Sequence, residues 1–261
     1  MIRAQNLVKT FGDFVAVRDI SFAVEQAEIF AFLGPNGAGK TTTIKMLTTL
    51  LKPTRGRVEI DGLDPALEQT EVRKRFGIVF QDPTLDVELT AYENMDMHGM
   101  LYRVPKAIRK QRIEKLLTLF ELWNRRDDFV KRFSGGMRRR LEIARGLLHT
   151  PKILFLDEPT LGLDPQTRNQ LWNHVRTLND EERVTVFLTT HYMEEAERVA
   201  HRIAIIDHGR IIAQGTPAEL KQQTGAETLE QAFLALTGSS IRDEDAGSLD
   251  QMRTMAKLWR R

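Results

Sequence analysis

The chain has 261 residues, 41% of them hydrophobic, which is enough for a sizeable core in one large α/β domain or two smaller ones. The formal net charge of +2 gives no support for a nucleic-acid-binding surface, and the absence of cysteine excludes disulfides and thiolate metal sites. No apolar run approaches the roughly 18 residues that span a bilayer and no secretory signal is seen, so we expect a cytoplasmic protein.

Strands are predicted over about the first 25 residues. MIRAQNLVKTFG, FVAV and ISFAVEQ alternate apolar and polar residues, with breaks at Gly12-Asp13 and at Arg18-Asp19. EIFAFL is a short apolar run typical of a buried strand, and TTTIKMLTTLL after it favours a helix. RVEI and FGIVFQ (Phe76 to Gln81) indicate two further strands.

A glycine-rich loop joins the strand EIFAFL to the helix that follows, with the spacing Gly34-x-x-x-x-Gly39-Lys40-Thr41. Successive backbone N–H groups in such a loop face one concavity, and the dipole of the next helix lies behind them. The spacing therefore predicts a nucleotide site in which Lys40 reaches the β- and γ-phosphates and Thr41 ligates Mg²⁺. Many nucleotide enzymes share this loop, so it leaves their class open.

The region between about Leu89 and His149 is predicted to be helical, and an amphipathic stripe supports this. The stripe consists of Ile113, Leu116, Leu117 and Phe120. Strands then alternate with helices: the predicted strands are KILFLD, VTVFLTT and RIAIID, and the helices between them begin at Pro165 and Met193. This alternation predicts an α/β fold with a mainly parallel sheet. With the glycine-rich loop, the first strands and the helical region, we expect a P-loop NTPase core with an N-terminal antiparallel β arm and an inserted helical subdomain.

Two adjacent carboxylates, Asp157 and Glu158, end the strand KILFLD. In open α/β sheets ligands bind at the carboxyl ends of the strands. We expect Asp157 beside Mg²⁺, opposite the loop threonine. Glu158 lies one position further along and is free to polarise an attacking water.

RFSGGMRRRLEIARGLL contains a second candidate phosphate-binding helix start. Ser134 is a favoured N-cap, so the segment is at least a capped helix with Leu141, Ala144 and Leu148 on one face. A serine and two glycines at a helix N-terminus also form an anion-binding surface. Two such helix starts suggest that both serve one nucleotide from opposite sides. We expect the arginine run after Met137 to be a solvated helix start.

In order and spacing, these motifs resemble the ATPase subunits of ATP-binding cassette (ABC) transporters. GPNGAGKTT is similar to the Walker A loop, ILFLDEP to the Walker B strand, and FSGGM to the signature, whose commoner form is Leu-Ser-Gly-Gly-Gln. Gln81 in VFQDP matches the Q-loop, Leu163-Asp164 in LGLDP the D-loop, and His191 in LTTHYMEEAE the switch histidine. The expected domains are a cassette at 1–220 with its helical subdomain at about 89–149, a helical extension at 221–237, and a polar then basic tail at 238–261. We expect the tail to be poorly ordered, or alternatively to be a basic amphipathic anchor.

The resemblance implies a head-to-tail dimer with two-fold symmetry. Each ATP would lie between the Walker A loop of one copy and the signature of the other, where Ser134, Gly135 and Gly136 contact the γ-phosphate. Loss of that phosphate on hydrolysis would loosen the dimer. His191 would contact the γ-phosphate and help to position the attacking water.

The residues that the resemblance implies fall into three groups. The catalytic residues are Glu158, His191 and Lys40. The metal ligands are Thr41, Gln81 and Asp157. The nucleotide contacts are Phe11, Gly34, Pro35, Asn36, Gly37, Ala38, Gly39, Lys40, Thr41, Thr42, Ser134, Gly135, Gly136 and Asp164. Phe11 matches the aromatic residue that stacks on adenine, although a structural phenylalanine in the β arm fits this position nearly as well.

The chain departs from the commoner signature at Phe133, in place of leucine, and at Met137, in place of glutamine. The phosphate-facing Ser-Gly-Gly is intact, so we expect hydrolysis at both sites of a homodimer. Three segments are similar to the drug- and polysaccharide-exporter, daunorubicin-resistance-like branch: LDVELTAYENMDMHGMLYRVP, TTHYMEEAERVAHRIAIIDHGRIIAQGTPAEL and TLEQAFLALTG. This similarity implies export through separate integral membrane permease subunits, with the chain at the cytoplasmic face of the cell membrane.

Three other kinds of protein use the same cassette. Chromosome-maintenance and DNA-repair ATPases carry a very long coiled coil between Walker A and the signature, whereas this chain has one helical block. Ribosome-associated proteins carry two cassettes, and the sequence contains no second phosphate loop. A non-hydrolysing regulatory subunit would be expected to lack Glu158 or His191. The transporter ATPase is therefore favoured over a DNA- or ribosome-associated ATPase, and no nucleic acid partner is expected.

Overall fold

The computed structural model describes residues 1–238, so the predicted tail lies outside the described residues from position 239 onward. The strands are β1 (Ile2–Phe11), β2 (Phe14–Val24), β3 (Ile29–Leu33), β4 (Arg55–Ile60), β5 (Phe76–Val79), β6 (Ile153–Asp157), β7 (Thr185–Thr190), β8 (Arg202–Asp207) and β9 (Arg210–Gly215). The α-helices are α1 (Lys40–Leu47), α2 (Gln69–Arg75), α3 (Ala91–Leu101), α4 (Lys106–Leu119), α5 (Gly135–Leu147), α6 (Pro165–Glu182), α7 (Met193–Val199), α8 (Pro217–Thr224) and α9 (Leu229–Thr237).

A six-stranded sheet in the order β5-β6-β7-β3-β8-β9 forms the centre of the fold. Its strands are parallel except β9, which pairs antiparallel with β8, so the predicted mainly parallel sheet is confirmed. In register, Leu33 of β3 pairs with Thr190 of β7, and Asp157 of β6 pairs with Thr189. The segments that leave the carboxyl ends of these three strands therefore meet at one edge of the sheet.

Both faces of the central strand β3 are buried, which explains its unbroken apolar sequence. Ile29, Ala31 and Leu33 pack into a core shared with the helical block and α6. Phe30 and Phe32 pack on the opposite face, into a core shared with the β arm and α1. The strand that leads into the glycine-rich loop is thus fixed from both sides.

The predicted antiparallel β arm is a three-stranded sheet in the order β2-β1-β4. The predicted break at Arg18-Asp19 is wrong, because β2 runs through both residues. Asp19 has a positive φ of 57° and Asn6 on β1 has one of 49°, and Asn6 Nδ2 donates to Asp19 Oδ1 over 3.0 Å. The polar pair therefore marks an irregularity in strand pairing rather than a turn.

The helical block consists of α3, α4 and α5. Its predicted amphipathic stripe is confirmed, because all four residues are buried: Ile113, Leu116, Leu117 and Phe120. A capping box of Thr90 and Glu93 begins α3, and Ser134 caps α5. Within residues 1–238, no helix is long and apolar enough to cross a bilayer.

Candidate nucleotide-binding site

The loop between β3 and α1 leaves no room for side chains at two of its glycines. Gly39 caps α1 with a φ of +107°, and a Cβ there would lie 2.7 Å from the backbone oxygen of Ala16. A Cβ on Gly34 would lie 2.2 Å from the backbone oxygen of Ile206. Glycine is therefore required at both positions, which lets the loop backbone lie close to its neighbours. The first N–H groups of α1 have no acceptor within the helix and are available to an anion.

Lys40, the first residue of α1, has a buried side chain. Its Nζ donates to the backbone oxygens of Gly34 (2.8 Å) and Pro35 (3.1 Å). The same Nζ forms an ion pair with Oε1 of Glu158 at 3.0 Å. Two carbonyl oxygens and one carboxylate oxygen therefore compensate the buried charge.

Asp157, at the end of β6, lies beside the first turn of α1. Its Oδ1 accepts hydrogen bonds from Thr41 Oγ1 (3.2 Å) and Thr189 Oγ1 (2.6 Å). Burial raises the pKa of Asp157, and the bonds from Thr189 and Thr41 offset only part of that effect. Hydroxyl and carboxylate oxygens are the ligands that Mg²⁺ prefers, so the pair of Thr41 and Asp157 fits this ion.

Glu158, the next residue, has its backbone in the left-handed region with a φ of 48°. Its N–H donates to the backbone oxygen and to Oγ1 of Thr189, both at 3.1 Å, and its Oε2 accepts from His191 Nδ1 at 2.7 Å. Burial acts to raise the pKa of Glu158. The hydrogen bond from His191 and the charge of Lys40 outweigh burial and lower the pKa to about 2. Glu158 is thus ionised at neutral pH.

The structure brings together five of the predicted residues at this edge of the sheet: Lys40, Thr41, Asp157, Glu158 and His191. The remaining loop residues of the prediction lie in the turn before α1 or in its first turn: Pro35, Asn36, Gly37, Ala38 and Thr42. Thr189, which holds both carboxylate residues, was missed by the sequence analysis. Two consecutive threonines at the end of a buried strand are the signal that could have indicated it.

Three predicted residues lie on other elements. Gln81 is exposed just after β5, and its backbone oxygen accepts a 2.9 Å hydrogen bond from Arg139. Asp164 caps α6 by accepting from the backbone N–H (3.0 Å) and the hydroxyl (2.6 Å) of Thr167. Phe11 ends β1, and the Nζ of Lys9 lies 5.0 Å from the centre of its ring.

The predicted signature lies at the exposed start of α5. The hydroxyl of Ser134 accepts from the backbone N–H of Met137 at 3.2 Å, as expected of an N-cap. A Cβ on Gly136 would lie 2.4 Å from the Thr167 side chain, and one on Gly135 would lie 3.8 Å from Leu163. The signature of one chain therefore packs against the D-loop and α6 of the same chain.

The expected solvation of the arginine run is wrong for Arg139, which is only 7% exposed. It forms a 2.9 Å ion pair with Glu142 and donates to the backbone oxygens of Phe80 and Gln81. Glu142 in turn accepts from the backbone N–H of Thr84 at 2.7 Å. The helix that begins at the signature thus holds the segment after β5. A glutamate three positions after an arginine, on one helical face, is the signal that could have revealed this pair.

Comparison with known proteins assigns the chain to one group. Residues 17–161 match a family model described as "ABC transporter". The chain is 46% identical over 228 residues to the daunorubicin/doxorubicin resistance ATP-binding protein DrrA of Streptomyces peucetius, an alignment that covers 87% of this chain and 69% of the relative. It is 40% identical over 231 residues to the Nod factor export ATP-binding protein I of Ralstonia nicotianae, covering 88% and 72%.

A solved structure shares the fold. It is a dimeric post-hydrolysis structure of the ATP-binding cassette MJ0796 bound to ADP and Pi, with a TM-score of 0.74 and 29% identity. The alignment covers 83% of this chain and 98% of that one. The shared fold therefore extends over most of this chain.

Proposed function

Because this chain belongs to the ABC transporter family and is one of its ATPases, we propose that two copies of it bind two ATP molecules between them and drive a separate membrane permease in the direction of export. One observation carries the proposal: Lys40, Glu158 and His191 converge at the carboxyl edge of the sheet, beside a pair of oxygen ligands suited to Mg²⁺. The relatives named for resistance and export support the direction of transport.

In the first step of the proposed mechanism, ATP displaces an internal contact. The phosphates bind the loop N–H groups and compete with Glu158 for the Lys40 ammonium, which now lies 3.0 Å from Oε1. Thr41 and Asp157, joined by Gln81, would hold Mg²⁺, which neutralises phosphate charge when bound. Phe11 would stack on the adenine ring.

Departure of Lys40 changes the chemistry of Glu158. The ammonium is one of the groups that lower the pKa of Glu158, while burial acts to raise it. Removal of the ammonium therefore moves the pKa upward, toward the range in which a carboxylate accepts a proton from water. His191 keeps its hydrogen bond to Oε2, which leaves Oε1 free for the attacking water.

The second half of each site comes from the second copy. Ser134 and Gly135 are exposed at the N-terminus of α5, where N–H groups favour an anion. In a two-fold dimer each copy supplies its signature and Asp164 to the ATP of the other, so both sites form at once. Loss of the γ-phosphate removes these contacts and loosens the dimer.

The permease contact is assigned to the segment between Asp82 and Leu101. Met97, Met100 and Leu101 of α3 are 39%, 53% and 73% exposed, a cluster of apolar side chains on the helical block. In this scheme residues 1–220 are the cassette, 89–149 its helical subdomain and 221–237 an extension. The complex lies at the cytoplasmic face of the cell membrane.

Replacement of Glu158 by glutamine tests the proposal. Glu158→Gln keeps the shape of the site and removes the negative charge that polarises water, so ATP binds but is not hydrolysed. With ATP the variant should elute at twice the 30.0 kDa mass of one chain, measured by light scattering. Glu194→Gln, on an exposed glutamate of α7, is the control and should hydrolyse ATP normally. Hydrolysis at the wild-type rate by Glu158→Gln contradicts the role of Glu158, and an ATP-bound monomer contradicts the dimer.

A further inference from the structure

We propose that Arg168 is a positioning residue that links the D-loop to the switch histidine. Arg168 lies in the first turn of α6, four residues after Asp164 of the D-loop. Its guanidinium contacts the D-loop, the turn that carries His191, and α7. The inference rests on the proposed role of His191 in ATP hydrolysis.

The guanidinium of Arg168 lies between three groups. Its Nε donates to the backbone oxygen of Leu163 in the D-loop at 2.8 Å. Its centre lies 4.4 Å from the centre of the Tyr192 ring, within the range of a cation–π contact. Its Nη1 lies 3.9 Å from Oε1 of Glu195. A planar guanidinium presents several donors in a fixed arrangement, so one side chain can hold all three groups.

Tyr192 transmits the position of Arg168 to the site. The rings of His191 and Tyr192 are 4.1 Å apart between centres. His191 Nδ1 in turn lies 2.7 Å from Oε2 of Glu158. A shift of the Leu163 carbonyl therefore reaches the Glu158 carboxylate through three consecutive side chains, those of Arg168, Tyr192 and His191.

Glu195 gives Arg168 a second position. Its side chain is buried, and Oε2 accepts from Thr160 Oγ1 at 2.7 Å. Within residues 1–238, Oε1 has no hydrogen-bond partner. Burial raises the pKa of Glu195, and the nearby Thr160, Arg168 and Trp172 offset only part of that effect. Oε1 is thus a buried acceptor beside the Trp172 indole and 3.9 Å from Nη1, within reach of the guanidinium if the Leu163 carbonyl releases it.

Arg168 connects two segments that serve different ATP sites in the proposed dimer, the D-loop and the turn after β7. The D-loop carries Asp164, which is assigned to the site of the second copy. The turn after β7 carries His191, which belongs to the site of its own copy. Arg168 contacts both, so it makes the geometry of His191 depend on the placement of the D-loop.

Steady-state ATP hydrolysis by single and double variants tests the inference. Arg168→Ala and Tyr192→Leu should each lower kcat about tenfold while the KM for ATP changes less than about twofold, because neither side chain binds nucleotide. Tyr192→Phe keeps the ring and should retain the wild-type kcat. In a His191→Ala background, Arg168→Ala should cause no further loss, since both act through one group.

A matched control is available in the helical block. Arg126 lies 4.5 Å from the ring centre of Trp123 and donates to the backbone oxygen of that residue at 3.1 Å. Arg126→Ala removes the same kinds of contact away from the site and should leave kcat unchanged. Thermal unfolding of every variant gives the folded fraction by which kcat is corrected.

Three results overturn the inference. The first is a wild-type kcat in Arg168→Ala. The second is a loss that disappears after correction for the folded fraction. The third is an equal factor of loss from Arg168→Ala in the wild-type and His191→Ala backgrounds. The proposed function fails separately if Glu158→Gln hydrolyses ATP normally, or if His191→Ala alone leaves kcat unchanged.

Discussion

Replacing Arg139 by methionine should destabilise the protein far more than replacing its neighbour Arg140. Arg139 and Glu142 are 7% and 3% exposed, and they form a 2.9 Å ion pair. Methionine keeps the length of the side chain and its apolar contacts but removes the charge and the donors. Glu142 then remains buried with the Thr84 N–H and without its ion-pair partner, and Arg145 is the other cation near its charge.

The expected cost follows from the geometry of the pair. Removing one partner of a buried ion pair costs about 3–5 kcal/mol, because the other charge is left uncompensated. Arg140 is the control: it pairs with Glu121 at 2.9 Å, but the side chain of Glu121 is 63% exposed. Exposed ion pairs contribute about 0–1 kcal/mol to the free energy of unfolding, so the stability of Arg140→Met should remain close to that of the wild type.

Urea unfolding monitored by circular dichroism measures both variants. Arg139→Met should move the midpoint to lower urea at an unchanged slope, and Glu142→Leu added to it should recover part of the loss, since the unpaired charge is then gone. Equal free energies of unfolding for Arg139→Met and Arg140→Met would refute the reasoning. A double variant less stable than Arg139→Met would also refute it.

Three further predictions concern the site and the pH dependence of stability. Lys40→Ala should weaken ATP binding at least about tenfold, because the ammonium is a charge-assisted donor to phosphate. Titration with a fluorescent ATP analogue measures the affinity, and an unchanged affinity contradicts the phosphate-loop assignment. Thr189→Val removes the hydroxyl that donates to Asp157 and accepts from the backbone N–H of Glu158, so kcat should fall about tenfold or more at a KM near the wild type. A normal kcat contradicts the anchoring role. Burial lowers the pKa of His98 to about 3 and that of His149 to about 4, from 6.5, so the unfolded chain binds protons below pH 6.5 that the folded chain does not. The free energy of unfolding is therefore retained above pH 6.5 and falls as the pH drops toward 4, by about 2 kcal/mol per histidine at pH 5. A melting temperature that does not change over this range contradicts the prediction.

The parts of the site that the sequence predicts are those in which local sequence determines local geometry. Gly34 and Gly39 are needed where another backbone passes within van der Waals distance, and Lys40 and Thr41 follow them on one helix. Asp157 terminates an apolar strand, and parallel strands align their carboxyl ends, so its meeting with the loop follows from the class of fold.

What the sequence does not predict depends on contacts distant along the chain. Arg139 lies in a basic run typical of a solvated helix start, and its burial follows from the packing of α5 against the segment after β5. Asp19 is polar enough for a turn, yet pairing with Asn6 keeps the strand continuous. The sequence analysis also missed β9, because this strand is short and half exposed and is stabilised by antiparallel pairing with β8.

Purification of the tagged Glu158→Gln form from membranes of its own host tests the central claim most directly. ATP is added before extraction with mild detergent, so that the proposed dimer is retained on its permease, and Lys40→Ala serves as the control that should not be retained. The account predicts a polytopic membrane protein in near-equal amount, recovered with Glu158→Gln and ATP. Recovery in the soluble fraction alone, with ribosomes, DNA or no partner, would contradict the transporter assignment and leave the ATPase activity unassigned to a process.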